Sequence, residues 1–193
     1  MNFPTKLEGK RVDLLAMEHR HADALFACSM DERIWTYLPQ KTSSAAEMAK
    51  FIEQSLAAKE MGTEFPYVVY DHELKQLVGS TRLLNISVPN RNLEIGWTWY
   101  SPEVWRTRVN TECKYMLLQF AFEQFEAIRV QLKADQRNAR SNAAIRRLGA
   151  VHEGVLRHDR IMHDGYIRNA DLYSILSSEW PDVKERLELF LIQ

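Results

Sequence analysis

The spacing of apolar residues changes along the chain and predicts where helices and strands lie. Before residue 62, apolar side chains recur mainly every three or four residues, which is the spacing of amphipathic helices. After it, a period of two, typical of strands, dominates. The predicted strands are 10–15, 65–70, 76–86, 93–100, 129–134, 151–162 and 166–176. The predicted helices are 18–30, with further turns over 31–37, then 44–62, 110–122, 138–148 and 178–191.

Local signals bound several of these elements. Ser44 and Glu47 fit a capping box, Gly149 is typical of a helix end, and Asp164-Gly165 is typical of a hairpin turn. The order of elements predicts an α/β (α+β) domain with a central mixed, mostly antiparallel sheet. No repeat or linker interrupts this order, so we expect residues 1–193 to form a single domain.

The stretch 93–122 contains the strongest candidate for a binding element. Its strand leads through Pro102 into a helix that begins near Asn110. A helix in this position aims its first backbone N–H groups, and the positive end of its dipole, at whatever lies in the preceding loop. Such a loop is a site for phosphate. Arg106 and Arg108 flank it.

Net charge, apolar content and cysteine spacing limit which partners, cellular location and metal sites we expect. The formal net charge of -1 gives no overall attraction to nucleic acid or to an anionic membrane. The sequence begins without an apolar signal core and has no stretch long enough to span a bilayer, so we expect a cytoplasmic protein. Cys28 and Cys113 lie on apolar helix faces without metal-ligand spacing. We therefore expect free thiols and no metal site.

Five short motifs resemble those of one protein family. They are Glu94-Ile-Gly-Trp97, Ser101-Pro-Glu-Val-Trp105, Val109-Asn-Thr-Glu112, Asn138-x-x-Ser141 and Arg147-Leu-Gly-Ala150. Together they resemble the GNAT superfamily of acyl-CoA N-acyltransferases, in the branch of the ribosomal-protein N-terminal acetyltransferases, over roughly residues 6–187. The resemblance implies the GNAT fold, with six to seven strands splayed in the middle and flanked by helices.

The resemblance also implies an activity and its substrates. It implies an acetyl-CoA-dependent N-acetyltransferase that acts by direct attack of a primary amine, on a peptide N-terminus or a small molecule. Acetyl-CoA is the co-substrate, no metal is required, and the protein is a monomer or a homodimer. By the family's usual arrangement, Trp35 and Tyr37 would line the acceptor groove.

The resemblance assigns catalytic roles on the strand over 93–100. Backbone N–H groups would polarise the thioester carbonyl at a bulge, which Gly96 would fit. Glu94 is the candidate general base, since a partly buried carboxylate beside the carbonyl can accept the proton of the amine. Two alternatives remain: Glu94 forms an ion pair with an arginine across the sheet, or bulk water accepts the proton.

Further roles fall on the helix over 138–148. No tyrosine lies in this helix, where many family members have one as the acid, so Ser141 is the candidate that meets or protonates the sulfur. By resemblance, Asn138 would bind the pantetheine arm. The alternative is that Asn138 and Ser141 only cap the helix.

The phosphate loop departs from the family pattern. Where the family has Arg/Gln-x-x-Gly-x-Gly/Ala, arginines stand at both glycine positions of this chain. Either Arg106 and Arg108 bind phosphates as guanidinium forks, or their bulk and a left-handed backbone costing roughly 1 to 2 kcal/mol block the cradle. Two other functions stay open: a non-catalytic module that binds coenzyme A or a nucleotide and keeps the fold after losing the glycines, and a structural or interaction domain that uses the exposed edge of the splayed sheet. The expected cofactor-binding residues are Trp105, Arg106, Thr107, Arg108, Val109, Asn110, Thr111 and Asn138.

Overall fold

In the computed structural model, which describes residues 3–192, an eight-stranded sheet lies between two layers of helices. The strands are β1 (Lys6–Glu8), β2 (Val12–Ala16), β3 (Glu64–Asp71), β4 (Gln76–Ser87), β5 (Asn92–Tyr100), β6 (Arg129–Asp135), β7 (Val151–Ile161) and β8 (Ile167–Leu176). The helices are α1 (Ala22–Cys28), α2 (Ala45–Glu60), α3 (Val109–Gln119), α4 (Ala139–Leu148) and α5 (Trp180–Ile192). Residues 1, 2 and 193, which the expected domain includes, lie outside the described residues.

The sheet has the order β1-β2-β3-β4-β5-β6-β8-β7, and β5 and β6 are its only parallel neighbours within residues 3–192. This arrangement confirms the mixed, mostly antiparallel α/β fold. The expected count of six to seven strands is corrected to eight, because the pattern does not reveal β1. Its three residues pair with β2 through Leu7 and Leu14, and a segment that short has no readable period.

Two hydrophobic cores lie on opposite faces of the sheet. Helices α1 and α2 cover one face, where Leu25, Phe51 and Trp99 are buried together. Helices α3, α4 and α5 cover the other, around residues such as Leu117 and Leu187. The pattern predicts a single apolar stripe on α3. The structure instead buries this helix on nearly every side, including its charged residues.

The two glycine signals of the sequence are confirmed, and the capping box at Ser44 is formed only in part. Gly149 ends α4 with a φ of 105°, in the left-handed region, and Gly165 turns the β7–β8 hairpin with a φ of 82°. Ser44 caps α2 by accepting a hydrogen bond from the N–H of Glu47 at 3.2 Å. The capping box is incomplete, because the carboxylate of Glu47 accepts from the N–H of Ser43 instead of Ser44.

A bulge in β5 exchanges the faces of that strand. Ser80 and Arg82 of β4 pair with Trp99 and Gly96, so β5 has one extra residue in this interval. Trp97 has a φ of 50° there. Before the bulge, odd-numbered residues such as Ile95 pack in the α3 core; after it, odd-numbered Trp97 and Trp99 pack against α1 and α2. The bulge expected near Gly96 is therefore present, and its left-handed residue is Trp97.

At Gly96 the surrounding side chains leave little room for a Cβ. A Cβ on Gly96 would lie 3.0 Å from a methyl carbon of Leu84 and 3.4 Å from Oε1 of Glu94.

Strands β5 and β6 pair only at their first residues and then diverge. Asn92, Leu93 and Glu94 are in register with Arg129, Val130 and Gln131, and no further pairs follow. Beyond Glu94 the facing edges of the two strands are separate. This opening is the predicted splay, and it leaves room in the middle of the sheet.

Residues 3–192 contain neither a membrane-spanning helix nor a cluster of metal ligands. No helix in this part of the chain combines the length and the hydropathy needed to cross a bilayer. No group of three or more His, Cys, Asp or Glu side chains in it is arranged to hold a metal ion. Cys28 and Cys113 are both free thiols.

Candidate active site

The splay between β5 and β6 forms a cleft of about 350 Å³. Its walls are residues 94–100 of β5 and 132–135 of β6, the loop 104–107, and parts of α3 and α4. Residues 33, 34 and 37–39, which precede α2, and two arginines of the β7–β8 hairpin complete it. Most of the sequence-predicted site residues meet here: Glu94, Trp105, Arg106, Thr107, Asn110, Asn138 and Ser141.

The loop before α3 presents unpaired backbone donors. Arg106 has a φ of 62°, which is the left-handed conformation expected of glycine, whereas Arg108 has an ordinary φ of -74°. The hydroxyl of Thr107 donates to the carbonyl of Val104 at 2.7 Å and holds the turn. Within residues 3–192, the N–H groups of Arg106, Arg108, Asn110 and Thr111 have no hydrogen-bond acceptor. Four donors at a helix N-terminus form an anion-binding cradle.

The two loop arginines leave this cradle open. Both side chains are exposed, and neither forms an ion pair with another described residue. Arg106 lines the cleft, but Arg108 does not. Val109 is buried in the core, and Thr111 is buried and accepts a hydrogen bond from Arg147 at 2.7 Å. Arg108, Val109 and Thr111 therefore do not reach the cleft with their side chains.

Trp105 forms the side of the cradle. Two guanidinium groups lie over its indole, with the central carbons of Arg33 and Arg140 at 5.1 and 4.0 Å from the ring centroid. Its Nε1 donates to the carbonyl of Tyr100 at 2.8 Å. Arg140 is therefore close to the loop that carries the unpaired N–H groups. Its side chain is also exposed to solvent, as expected for an arginine on an amphipathic helix.

At the start of α4, the capping alternative holds for Asn138. Its Oδ1 accepts a hydrogen bond from the backbone N–H of Ser141 at 3.0 Å. The cap uses only that oxygen. Among the described residues, the amide nitrogen of Asn138 and the hydroxyl of Ser141 have no hydrogen-bond partner, and both residues line the cleft. Capping and ligand binding are therefore compatible.

Glu94 is held at the point where β5 and β6 separate. Its residue is 5 % exposed. Oε2 accepts hydrogen bonds from Asn85 and Gln131, both at 3.0 Å, and lies 3.3 Å from Nζ of Lys133. The expected cross-sheet ion pair is present, with lysine in the place of arginine. Oε1 has no partner within residues 3–192.

Lys114 is a cleft residue that sequence reasoning missed. It is 5 % exposed, and its Nζ donates to the hydroxyl of Thr98 at 2.7 Å. No carboxylate of residues 3–192 lies within ion-pair distance of it, and burial lowers the pKa of its ammonium to about 8. The available signal was its position four residues after Asn110, which places both on the same face of α3.

The acceptor end of the cleft agrees in part with expectation. Tyr37 lines it as predicted. Trp35 does not, because it is buried in the core, where it packs against Trp99 with ring centroids 5.4 Å apart and donates to the carbonyl of Ser29 at 3.0 Å. The prediction for Trp35 is wrong. The indole of Trp35 instead packs against Trp99, which is itself a wall residue of the cleft.

Comparison with known proteins identifies the family. YoaA of Bacillus subtilis (strain 168), an uncharacterized N-acetyltransferase, is 25% identical over 177 residues, which are 90% of this chain and 97% of YoaA. YdaF of the same organism, a candidate ribosomal N-acetyltransferase, is 33% identical over 108 residues, 56% of this chain and 58% of YdaF. The crystal structure of a candidate acetyltransferase from T. thermophilus is 33% identical, covers 99% of both chains and has a TM-score of 0.90. The family model for the acetyltransferase (GNAT) domain matches residues 11–151, and the chain therefore belongs to the GNAT acetyltransferase family.

Proposed function

We propose that the chain is an acetyl-CoA-dependent N-acetyltransferase that acetylates a primary amine, on a peptide N-terminus or a small molecule, by direct attack. The observation that carries the proposal is the set of unpaired N–H groups before and within the first turn of α3, at the mouth of the splayed cleft. These donors and the helix dipole suit a pyrophosphate. The family supplies the reaction type.

The residues around the cradle fit coenzyme A. Arg106 keeps the backbone path that a glycine would take, and its exposed guanidinium is free to pair with a phosphate. Arg140, stacked on Trp105, supplies a second guanidinium beside the loop. Further in, the unpaired amide nitrogen of Asn138 is a donor for a carbonyl of the pantetheine arm.

The chemistry needs a proton acceptor and a proton donor at the thioester. The free edge of β5 beyond Glu94 provides backbone donors that polarise the carbonyl. Oε1 of Glu94 accepts the proton of the attacking amine, while Lys133, Asn85 and Gln131 hold Oε2 in place. The hydroxyl of Ser141 passes its proton to the departing thiolate of coenzyme A and is reprotonated by solvent, to which Glu94 releases the proton taken from the amine.

The alternative function is a non-catalytic GNAT-fold module that binds coenzyme A or a nucleotide. Two features favour it: a serine occupies the region where many family members have a tyrosine, and Arg106 occupies a glycine position. Such a module would bind coenzyme A at the same cradle as the enzyme would. Binding of coenzyme A alone therefore does not distinguish the module from the enzyme.

Thermal denaturation with acetyl-CoA tests the shared step. A ligand at 100 times its dissociation constant stabilises the fold by about 2.7 kcal/mol, which corresponds to a rise in Tm of roughly 5–10 °C for a chain of this size. No shift at millimolar acetyl-CoA would exclude both functions. Thiol release with a panel of amines then separates them: release identifies the enzyme, and a shift without release for any amine identifies the module.

A charge variant locates the binding. Asn110→Asp places a carboxylate in the first turn of α3, where it favours the helix dipole and repels phosphate. We expect an unliganded Tm that is unchanged or higher, with an acetyl-CoA shift reduced at least by half. The matched control is Asn90→Asp in the exposed β4–β5 turn, which should leave the shift unchanged. Equal shifts in the two variants would place coenzyme A elsewhere.

A further inference from the structure

The acceptor end of the cleft contains two arginines in direct cross-strand register. Arg160 of β7 pairs with Arg168 of β8, and both side chains line the cleft. Like charges directly opposite on a sheet are unfavourable unless an opposite charge joins them. The guanidinium carbon of Arg160 lies 5.6 Å from the ring centroid of Trp97, on the wall formed by the β5 bulge.

The carboxylates at this end do not neutralise both arginines. Lys133 lies 3.3 Å from Glu94 and 3.9 Å from Asp159. Asp159 also pairs with an Nη of Arg168. Arg160 has no carboxylate or hydrogen-bond partner within residues 3–192. The local sum of these charges leaves one uncompensated cation, on Arg160.

Arg168 adds a second unmet donor. The residue is only 8 % exposed, and its Nε is buried without a hydrogen-bond acceptor among the described residues. A buried donor without a partner is unfavourable, and an anion bound beside Arg160 would offset part of that cost. The arginine on the opposite wall, Arg33, is already paired with Asp31 at 2.6 Å.

We propose that the acetyl acceptor carries a carboxylate near its amine, and that Arg160 binds this carboxylate with the charge of Arg168 beside it. The inference rests on the proposed function. The unpaired guanidinium of Arg160 can hold both oxygens of a carboxylate through two parallel N–H groups, and Trp97 provides apolar surface next to it. Glu94 stands in the same cleft as the acceptor for the amine proton. The substrate class is therefore an acidic amine, either a free amino acid or a peptide with an acidic side chain near its N-terminus.

Paired substrates in which a carboxylate is replaced by its amide test the inference, with kcat/KM expressed per unprotonated amine. The peptide arm compares Ser-Glu-Ala-amide with Ser-Gln-Ala-amide, and the small-molecule arm compares serine with serinamide. For the natural chain we expect kcat/KM to be at least tenfold higher for the acidic member in one of the arms. Arg160→Gln should bring that ratio close to one, and Arg160→Lys, which keeps the charge without the fork, should give an intermediate ratio.

The matched control is Arg157→Gln on the exposed part of β7, outside the cleft. It should leave the acid-to-amide ratio unchanged, and denaturation curves should show that all three variants fold. Calorimetric titration of N-acetyl-Ser-Glu-Ala-amide and its glutamine analogue into the CoA-saturated protein gives a second readout, in which the acidic product should bind at least tenfold more tightly.

Failures of the two proposals are distinguishable. Thiol release with neutral amines at equal or higher kcat/KM, or an acid preference that survives Arg160→Gln, overturns the acidic-acceptor inference and leaves the acetyltransferase standing. Absence of release with every amine overturns the proposed function. In that case equal binding of the acidic and neutral products overturns the inference as well, and tighter binding of the acidic product that is lost in Arg160→Gln supports it as an anion site.

Discussion

Replacement of Lys114 by methionine is expected to stabilise the unliganded fold. Burial lowers the pKa of this ammonium from its ordinary value of 10.5 to about 8. The charged form is therefore disfavoured in the folded state. Each pKa unit corresponds to about 1.36 kcal/mol, so the penalty at pH 7, below both pKa values, is roughly 3 kcal/mol.

Loss of one hydrogen bond offsets part of this gain. Lys114 donates to Thr98, whose hydroxyl keeps its contact with Thr81 at 2.7 Å when the lysine is removed. A hydrogen bond from a charged donor is worth about 2 kcal/mol. The net expectation at pH 7 is a stabilisation of roughly 1 kcal/mol, which raises Tm by about 2–4 °C for a chain of this length.

The dependence on pH follows from the same pKa values. Between pH 8 and 10.5 the unfolded lysine binds more protons than the folded one, so the stability of the natural chain rises with pH in this window. The penalty falls to about half by pH 9.5. The stability gained by Lys114→Met should therefore be largest at pH 7 and shrink toward pH 10.

Urea denaturation of the natural protein and of the Lys114→Met variant, at pH 7 and at pH 9.5, measures the difference in their free energies of unfolding at each pH. The control is Lys50→Met on an exposed position of α2, because lysine and methionine have similar helix propensities. It should change stability by no more than about 0.5 kcal/mol at either pH. A destabilised Lys114→Met variant, or a gain that does not depend on pH, would refute the assignment of a charged, desolvated lysine.

Two predictions concern the chemistry. Glu94→Gln should lower kcat/KM about 100-fold at neutral pH, with a loss that shrinks as pH rises and more of the free amine is already deprotonated; an unchanged pH–rate profile would mean that water accepts the proton. Ser141→Ala should lower kcat at least tenfold and leave KM within about twofold, because the cap of α4 uses the backbone N–H of residue 141 and survives the change. Stopped-flow thiol release measures both variants, and equal kcat values for Ser141→Ala and the natural chain would remove the serine from the mechanism.

Much of the fold was predictable because its elements are long and strongly patterned. The strands β3 to β8 and the helices α2 to α5 lie within a few residues of the predicted ranges. The sequence could not reveal β1, whose three residues are specified by pairing with β2. The position of the strained residue in β5 was also hidden, because Gly96 is the better local candidate for a positive φ and tertiary packing places it on Trp97.

The candidate site was predictable where backbone motifs define it and less so where side chains from distant segments meet. The loop 105–110 could be placed from the transition between strand and helix, and Asn138 from the resemblance to the family's motif. Lys114 was hidden because a lysine on an amphipathic helix usually faces solvent. The cross-strand pairing of Arg160 with Arg168 depends on the register of the β7–β8 hairpin, which contains an irregularity between Leu156 and Arg160.

The extra residue in β5 can be removed in principle without exchanging the two cores. Side chains of this strand lie in the core under α3 before Trp97 and in the core under α1 and α2 at Trp97 and Trp99. Deletion of one residue between 96 and 98 would leave two residues on each strand across the interval that now pairs Arg82 and Ser80 with Gly96 and Trp99. Ile95 and Trp99 would then keep their faces by regular alternation, and the bulge with its left-handed residue would disappear. Such a shortened strand should therefore retain the fold and lose the irregular wall of the cleft, which separates the architectural role of β5 from its role in the site.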